Sequence, residues 1–247
     1  MIELERAVKP AYLTDKKTAE LTAKFKTSRK SVWNHDQIKG PLLASSYGKC
    51  AYCECRLSKE SNYMEVEHFE DKHHNPDKVV MWNNLLPSCK KCNGAKGTHD
   101  VTSEPIINPY DDDPREHLLW RLYRFRGKTP KGKNTIDVTD LNNSTRLVLS
   151  RFEIGEKISE LIEMAWDRFS HYKVNPNTRA KNKLLGIVEG ILTECQPNSS
   201  YSASTSTIVF TDDDFSKLVS ALKQEALWTD DLERLYKLSE SLVLECA

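Results

Sequence analysis

At 247 residues the chain is long enough for one large domain, or for a small one set in a larger frame. Hydrophobic residues make up 38% and charged residues 29%, a balance that suits a soluble helical protein. Lys plus Arg and Asp plus Glu each number 36, which excludes a global field drawing the molecule onto nucleic acid; any such attraction must come from local patches.

No apolar run approaches the roughly 20 residues that span a bilayer. The opening MIELERAVKP lacks the basic and apolar regions of a signal peptide. The expected location is cytoplasmic, without membrane attachment, where paired cysteines favour metal over disulfide.

In chain order, residues 1–47 read as an N-terminal helical arm. Residues 14–26 predict a helix capped by Thr14 or Asp15. Lys24, Lys26, Arg29 and Lys30 follow as a basic run, readable as a solvated helix end or as a phosphate-contacting arm. Residues 38–47 predict a short helix broken near Gly40-Pro41. Residues 48–105 follow the order knuckle, strand, loop, strand, helix. The knuckle spans 48–53, a turn-rich connection leads to a strand over 63–69, and 73–77 form a loop. Asn83 and Asn84 precede a short apolar strand at Leu85-Leu86, and a helix begins at Cys89 and stops at Gly97.

Residues 106–140 read as a basic, hairpin-like extension. Asp113, Pro114 and Glu116 give a helix-start signal. Residues 118–125 lean towards strand, with a turn over 126–133 before a second extended piece at 135–138. Arg121, Arg124, Arg126, Lys128, Lys131 and Lys133 make this the most basic stretch, either a solubilising hairpin or a nucleic-acid surface. Residues 141–247 are expected to be helical. An amphipathic helix covers 143–172, a second 178–195, a third follows the cap at 211–214, and a fourth starts at Thr229 or Asp230 and ends near Cys246. Residues 196–207 (QPNSSYSASTST) are polar and of low complexity, and predict a flexible loop. Cys195 and Cys246 read as plain thiols.

Chemistry concentrates between Cys50 and Gly97. Cys50-x-x-Cys53 and Cys89-x-x-Cys92 offer the four thiolates of a closed tetrahedral structural zinc site. Cys55 offers a competing register, set aside because the spacing of Cys50 and Cys53 mirrors that of Cys89 and Cys92. Hydrolysing a phosphodiester needs an activated water, neutralisation of charge on the phosphate, and help for the leaving oxygen. His68 is the candidate general base. Glu67 and Asn93 are candidate ligands of a catalytic Mg²⁺ or Mn²⁺. Asn84 is expected to hold the loop carrying His68 by hydrogen-bonding its backbone. Glu67 and His68 point to opposite faces of an ideal strand, so this reading requires a twisted strand end; Glu65, on the face of Glu67, is the alternative carboxylate.

Cys50-x-x-Cys53, Glu67-His68-Phe69, Asn84-Leu85 and Cys89-x-x-Cys92-Asn93 with Lys96-Gly97 resemble the HNH endonuclease family in its zinc-stapled form. The resemblance implies an α+β fold, a ββα-metal core embedded in a mainly helical protein, with His68 as base and Asn93 on the catalytic ion. Asn93 stands where the family also uses His, and Glu67 where it often has Asp. Lys49 to Glu54, Val66 to Phe69, Trp82 to Leu85, and Thr135-Ile136 with Leu141-Asn142 further resemble the HNH subunit of Septu-type anti-phage systems, including retron-linked ones. That family usually reads His-Phe-Arg-Pro-Lys where this chain has His68-Phe69-Glu70-Asp71-Lys72. The resemblance implies a toxic nuclease effector acting on DNA or RNA (tRNA included), controlled by an ATPase subunit and, in retron systems, joined by a reverse transcriptase and its nucleic acid. The competing readings are a non-catalytic zinc-ribbon binding module and a stand-alone restriction-type endonuclease.

Overall fold

The computed structural model describes residues 1–57 and 63–247; part of the turn-rich connection expected before the first strand lies outside the described residues. The chain forms two compact units, one of Met1–Leu119 with Phe125–Asn142, the other of Trp120–Arg124 with Asn143–Ala247. Helices dominate, with two small sheets. Among the described residues no helix is long and apolar enough to cross a membrane.

In the first unit α1 (Asp15–Ser28) starts where Thr14 Oγ1 accepts from Lys17 N, and ends at Arg29 in the left-handed region. Helix α2 (Asp36–Ser45) runs through Pro41 rather than breaking there. Proline removes one hydrogen bond from the ladder, but Ile38 and Leu42, both fully buried, clamp the helix on either side of it. Strands β1 (Met64–His68) and β2 (Leu85–Cys89) pair antiparallel, with His68 opposite Leu85 and Met64 opposite Cys89. Helix α3 (Lys90–Lys96) follows directly and ends at Gly97, whose φ of 54° suits glycine. Leu21, Phe25, Ile38, Leu42, Val66, Val79 and Leu85 belong to one buried apolar cluster, so α1 and α2 cover the Val66 side of the hairpin.

The basic extension folds differently from expectation. Strands β3 (Leu118–Arg121) and β4 (Arg124–Gly127) are joined by Leu122 and Tyr123, and α4 (Pro130–Val138) replaces the extended piece expected at 135–138. Both turn residues have positive φ, 47° and 63°, the geometry of a two-residue hairpin turn that Asn-Gly usually marks. Helix α4 begins because Thr129 Oγ1 accepts from Gly132 N and Pro130 has no N–H to lose.

In the second unit a π-helical turn at Ser144–Val148 leads into α5 (Leu149–Val174). Helices α6 (Thr178–Glu194), α7 (Ser202–Phe210), α8 (Asp213–Gln224) and α9 (Asp230–Glu240) complete it. Ile158, Ile162, Leu184, Val188, Ile191, Val209, Phe215, Leu218 and Leu232 share its core. The flexible loop expected at 196–207 is contradicted in its second half: residues 196–201 form a turn between helices, but α7 begins at Ser202, and residues 202 to 207 are all buried. Several of its hydroxyls are satisfied locally, Thr207 Oγ1 donating to the Ala203 carbonyl at 2.7 Å and Ser206 Oγ to the Cys195 carbonyl at 3.1 Å, whereas the buried Ser204 Oγ has no hydrogen-bond partner among the described residues. The last helix stops at Glu240 rather than near Cys246, which is exposed, while Cys195 is buried.

Candidate functional site

The Sγ atoms of Cys50, Cys53, Cys89 and Cys92 lie within 4.8 Å of one another and are buried. Zinc–sulfur bonds of about 2.3 Å in a tetrahedron set sulfur–sulfur edges of about 3.8 Å, and Cys53 and Cys89 are 3.8 Å apart. This is a cluster that could hold a metal such as zinc, supplied by both Cys-x-x-Cys pairs. Cys55 is buried beside it but is not one of the four. The knuckle takes shape through Gly48 at φ 72° and a bridge between Lys49 and Arg56. The Lys49 ammonium and Glu54 carboxylate pair at 3.1 Å with both side chains buried. Hydrogen bonds with the Cys50 and Cys53 thiols hold the Cys89 thiol well below its usual range. Cys89 Sγ also accepts from Cys92 N at 3.4 Å, so this sulfur caps α3.

On one face of β1, Glu65 and Glu67 meet α3. Asn93 Nδ2 donates to Glu65 Oε2 at 2.7 Å. Three residues on, the Lys96 ammonium lies 2.7 Å from Glu67 Oε1, with both side chains buried. The same ammonium donates to the His68 carbonyl oxygen at 3.0 Å. Burial pushes the Glu67 carboxyl up to about 7, outweighing Lys96, which acts in the opposite sense. At 2.7 Å the ammonium is the direct charged partner of the buried Glu67 Oε1.

His68 occupies the other face, its ring edge-on to Trp33 at 4.5 Å. Its Nε2 is 2.9 Å from the Val79 carbonyl. A carbonyl can only accept, so Nε2 carries the proton and Nδ1 the lone pair. Burial, partly offset by that bond, draws the imidazole down to about 4 and keeps it neutral near pH 7. Asn84 closes the loop after His68: its Oδ1 accepts from Glu70 N at 2.8 Å, and its Nδ2 donates to the carbonyls of Glu70 and Lys78 at 3.0 and 3.2 Å. Asp71 orders the next turn, accepting from His73 N at 2.8 Å and contacting His74 Nδ1 at 2.6 Å.

The fold therefore unites the four cysteines, pairs Asn93 with Glu65, and places Asn84 on the His68 loop. It sends His68 and Glu67 to opposite faces of β1 and pairs Glu67 with Lys96. Sequence reasoning counted Lys96 among the residues of the family resemblance but gave it no chemical role. Its signal was spacing alone, since Asn93 and Lys96 sit one turn apart on the helix face opposite Glu65 and Glu67.

No family model matches the chain. It is similar to the Septu protein PtuB of Bacillus thuringiensis, 43% identical over 99% of this chain and 95% of that protein. It is also similar to the Septu protein PtuB of Bacillus mycoides strain KBAB4, 28% identical over 70% of this chain and 74% of that protein.

Proposed function

This chain belongs to the Septu PtuB family, and on that premise we propose that it is a metal-dependent HNH endonuclease, the nucleic-acid-cutting effector of an anti-phage defence complex with an ATPase subunit. The observation that carries the reading is His68, a neutral imidazole whose tautomer is fixed by the Val79 carbonyl at 2.9 Å. A neutral imidazole with its lone pair on Nδ1 is the form a general base requires. An approaching phosphodiester favours the imidazolium, so the proton affinity of Nδ1 rises as substrate binds.

The remaining residues have supporting tasks. The four cysteines would hold a structural zinc that ties the knuckle to the start of α3. Asn84 keeps the chain after His68 from swinging away. On the α3 face, Glu65, Glu67 and Asn93 present oxygen atoms of the kind a hard cation takes. A Mg²⁺ or Mn²⁺ held by Glu67 and Asn93, with Glu65 as the alternative carboxylate, would neutralise charge on the phosphate and ease departure of the leaving oxygen; because Glu67 and His68 lie on opposite faces of β1, the end of that strand must twist on substrate binding for both to reach one phosphate. Lys96 supplies a fixed positive charge beside the same carboxylate.

A second reading has its own observation: His68 is only 3% exposed and Glu67 only 2%. That favours a zinc module that binds without cutting. The two are separated by incubating the zinc-loaded full chain, with its neighbouring ATPase co-expressed, with DNA and RNA in added Mg²⁺ or Mn²⁺. Cleavage is expected, and His68→Ala should slow it by about 10²- to 10⁴-fold. Equal cleavage by the variant removes His68 as base, and no cleavage by either protein supports the binding module.

A further inference from the structure

The C-terminal end of α5 and the start of α6 are joined by residues 175–177. Arg168 and His171 from α5, with Arg179 and Lys183 from α6, line an open cavity of about 310 Å³ there, together with Asn177 and Ala180. No acid is among these residues. All four basic side chains are exposed, and none has an ion-pair partner among the described residues. The surrounding sequence shows the same bias: residues 168–188 hold five Lys or Arg and one His, and no Asp or Glu. Lys173 is matched, by Glu225 at 2.5 Å. Other lysines of this unit also have acids beside them, Lys157 with Glu160 at 3.0 Å, Lys217 with Asp214 at 2.9 Å and Lys223 with Glu233 at 3.1 Å. In a chain of zero net charge, three cations without ion-pair partners among the described residues, with a histidine beside them, make a local basic patch around one cavity.

We propose that this cluster binds the phosphates of a nucleic-acid backbone, and so anchors the substrate on the helical unit; the inference rests on the reading of the chain as a nuclease. The spacing fits. Positions 168 and 171 are three apart on α5, and 179 and 183 four apart on α6, so each pair stands on one side of its helix. Arg168 and Arg179 offer planar forks that match two phosphate oxygens at once, and Lys183 and His171 add point donors. Backbone contacts of this kind carry no sequence preference; they supply affinity and position.

The test is fluorescence anisotropy with labelled single- and double-stranded DNA and RNA over a series of salt concentrations. It compares the zinc-loaded full chain with its Arg168→Ala/Arg179→Ala/Lys183→Ala variant, with no Mg²⁺ or Mn²⁺ added. These side chains are exposed on helices, where alanine favours the helical state; circular dichroism confirms that the variant is folded. Affinity is expected to fall at least about tenfold, and the slope of log affinity against log salt to flatten by about 2 to 3 on duplex, as three phosphate contacts are lost. Unchanged affinity and slope overturn the inference, as does a parent that binds none of the probes or one displaced equally well by polyglutamate. Cleavage abolished by His68→Ala while the triple variant binds normally would remove the anchor and keep the nuclease. Charge-dependent binding without any cleavage would do the reverse.

Discussion

Lys96→Met isolates the buried ion pair that joins α3 to β1. The side chains of Lys96 and Glu67 are 0% and 3% exposed, so methionine fills nearly the same space while leaving the carboxyl without its ammonium. The folded carboxyl sits at about 7, above its ordinary 4.5, so the folded state holds more protons than the unfolded chain in between. The contribution of this group to stability is therefore complete below about pH 4.5 and declines as pH rises through about 7. In the parent the decline stops there, at about 3 kcal/mol. Without Lys96 the carboxyl stays protonated to higher pH, and the decline continues at about 1.4 kcal/mol per pH unit. The lost bond to the His68 carbonyl adds about 1 kcal/mol at every pH. The variant should thus trail the parent by about 1 kcal/mol near pH 6 and by about 3 to 4 kcal/mol near pH 9, within the range for a broken buried pair. Urea unfolding across that pH range, followed by zinc release to a chromogenic chelator, reads this unit specifically. Parallel stability curves for parent and variant would refute the argument, and Lys96→Met/Glu67→Gln should abolish the extra pH dependence.

The other expectations are simpler. Cys89→Ser should lose bound zinc and leave the first unit unfolded, whereas Cys55→Ser should retain one zinc per chain; metal analysis of the purified proteins decides between ligand and bystander. A Cβ at Gly132 would lie 2.0 Å from the His117 carbonyl oxygen, so Gly132→Ala should lower stability by about 2 kcal/mol or more, a fall in Tm of about 4–8 °C. Gly40, in α2 with nothing within 4 Å of an added Cβ, is the control. Gly40→Ala should raise stability by about 0.5–1 kcal/mol, and a fall there would contradict the described packing.

What could be read from the sequence follows where single residues determine local geometry. Thr14 marked the start of the first helix, paired cysteines at matched spacing marked the thiol cluster, and Gly97 marked the end of α3. Three features were hidden for physical reasons. Helix α7 reads as a polar loop because serine and threonine usually compete with the backbone; here the Thr205 and Thr207 hydroxyls bond back to carbonyls four residues earlier and can be buried. The β3–β4 turn carries Leu122-Tyr123 and not Asn-Gly. Tertiary contacts hold it instead: Arg151 Nη1 donates to the Tyr123 carbonyl at 3.3 Å, and Tyr123 meets Phe152 edge-on at 5.5 Å. The partner of Glu67 was hidden because strand alternation gives its direction but not the helix that arrives opposite, and Lys96 lies 29 positions further along.

Cys89 combines three duties in one residue. It ends β2, its sulfur stands among the clustered thiols, and the same sulfur receives the amide that opens α3. Oxidising or alkylating that atom would unseat the helix at the moment it disturbed the cluster, and the turn bearing Asn93 and Lys96 would lose its anchorage to the strand. With a metal such as zinc bound at these sulfurs, folding of this segment and filling of its thiol nest would be one event.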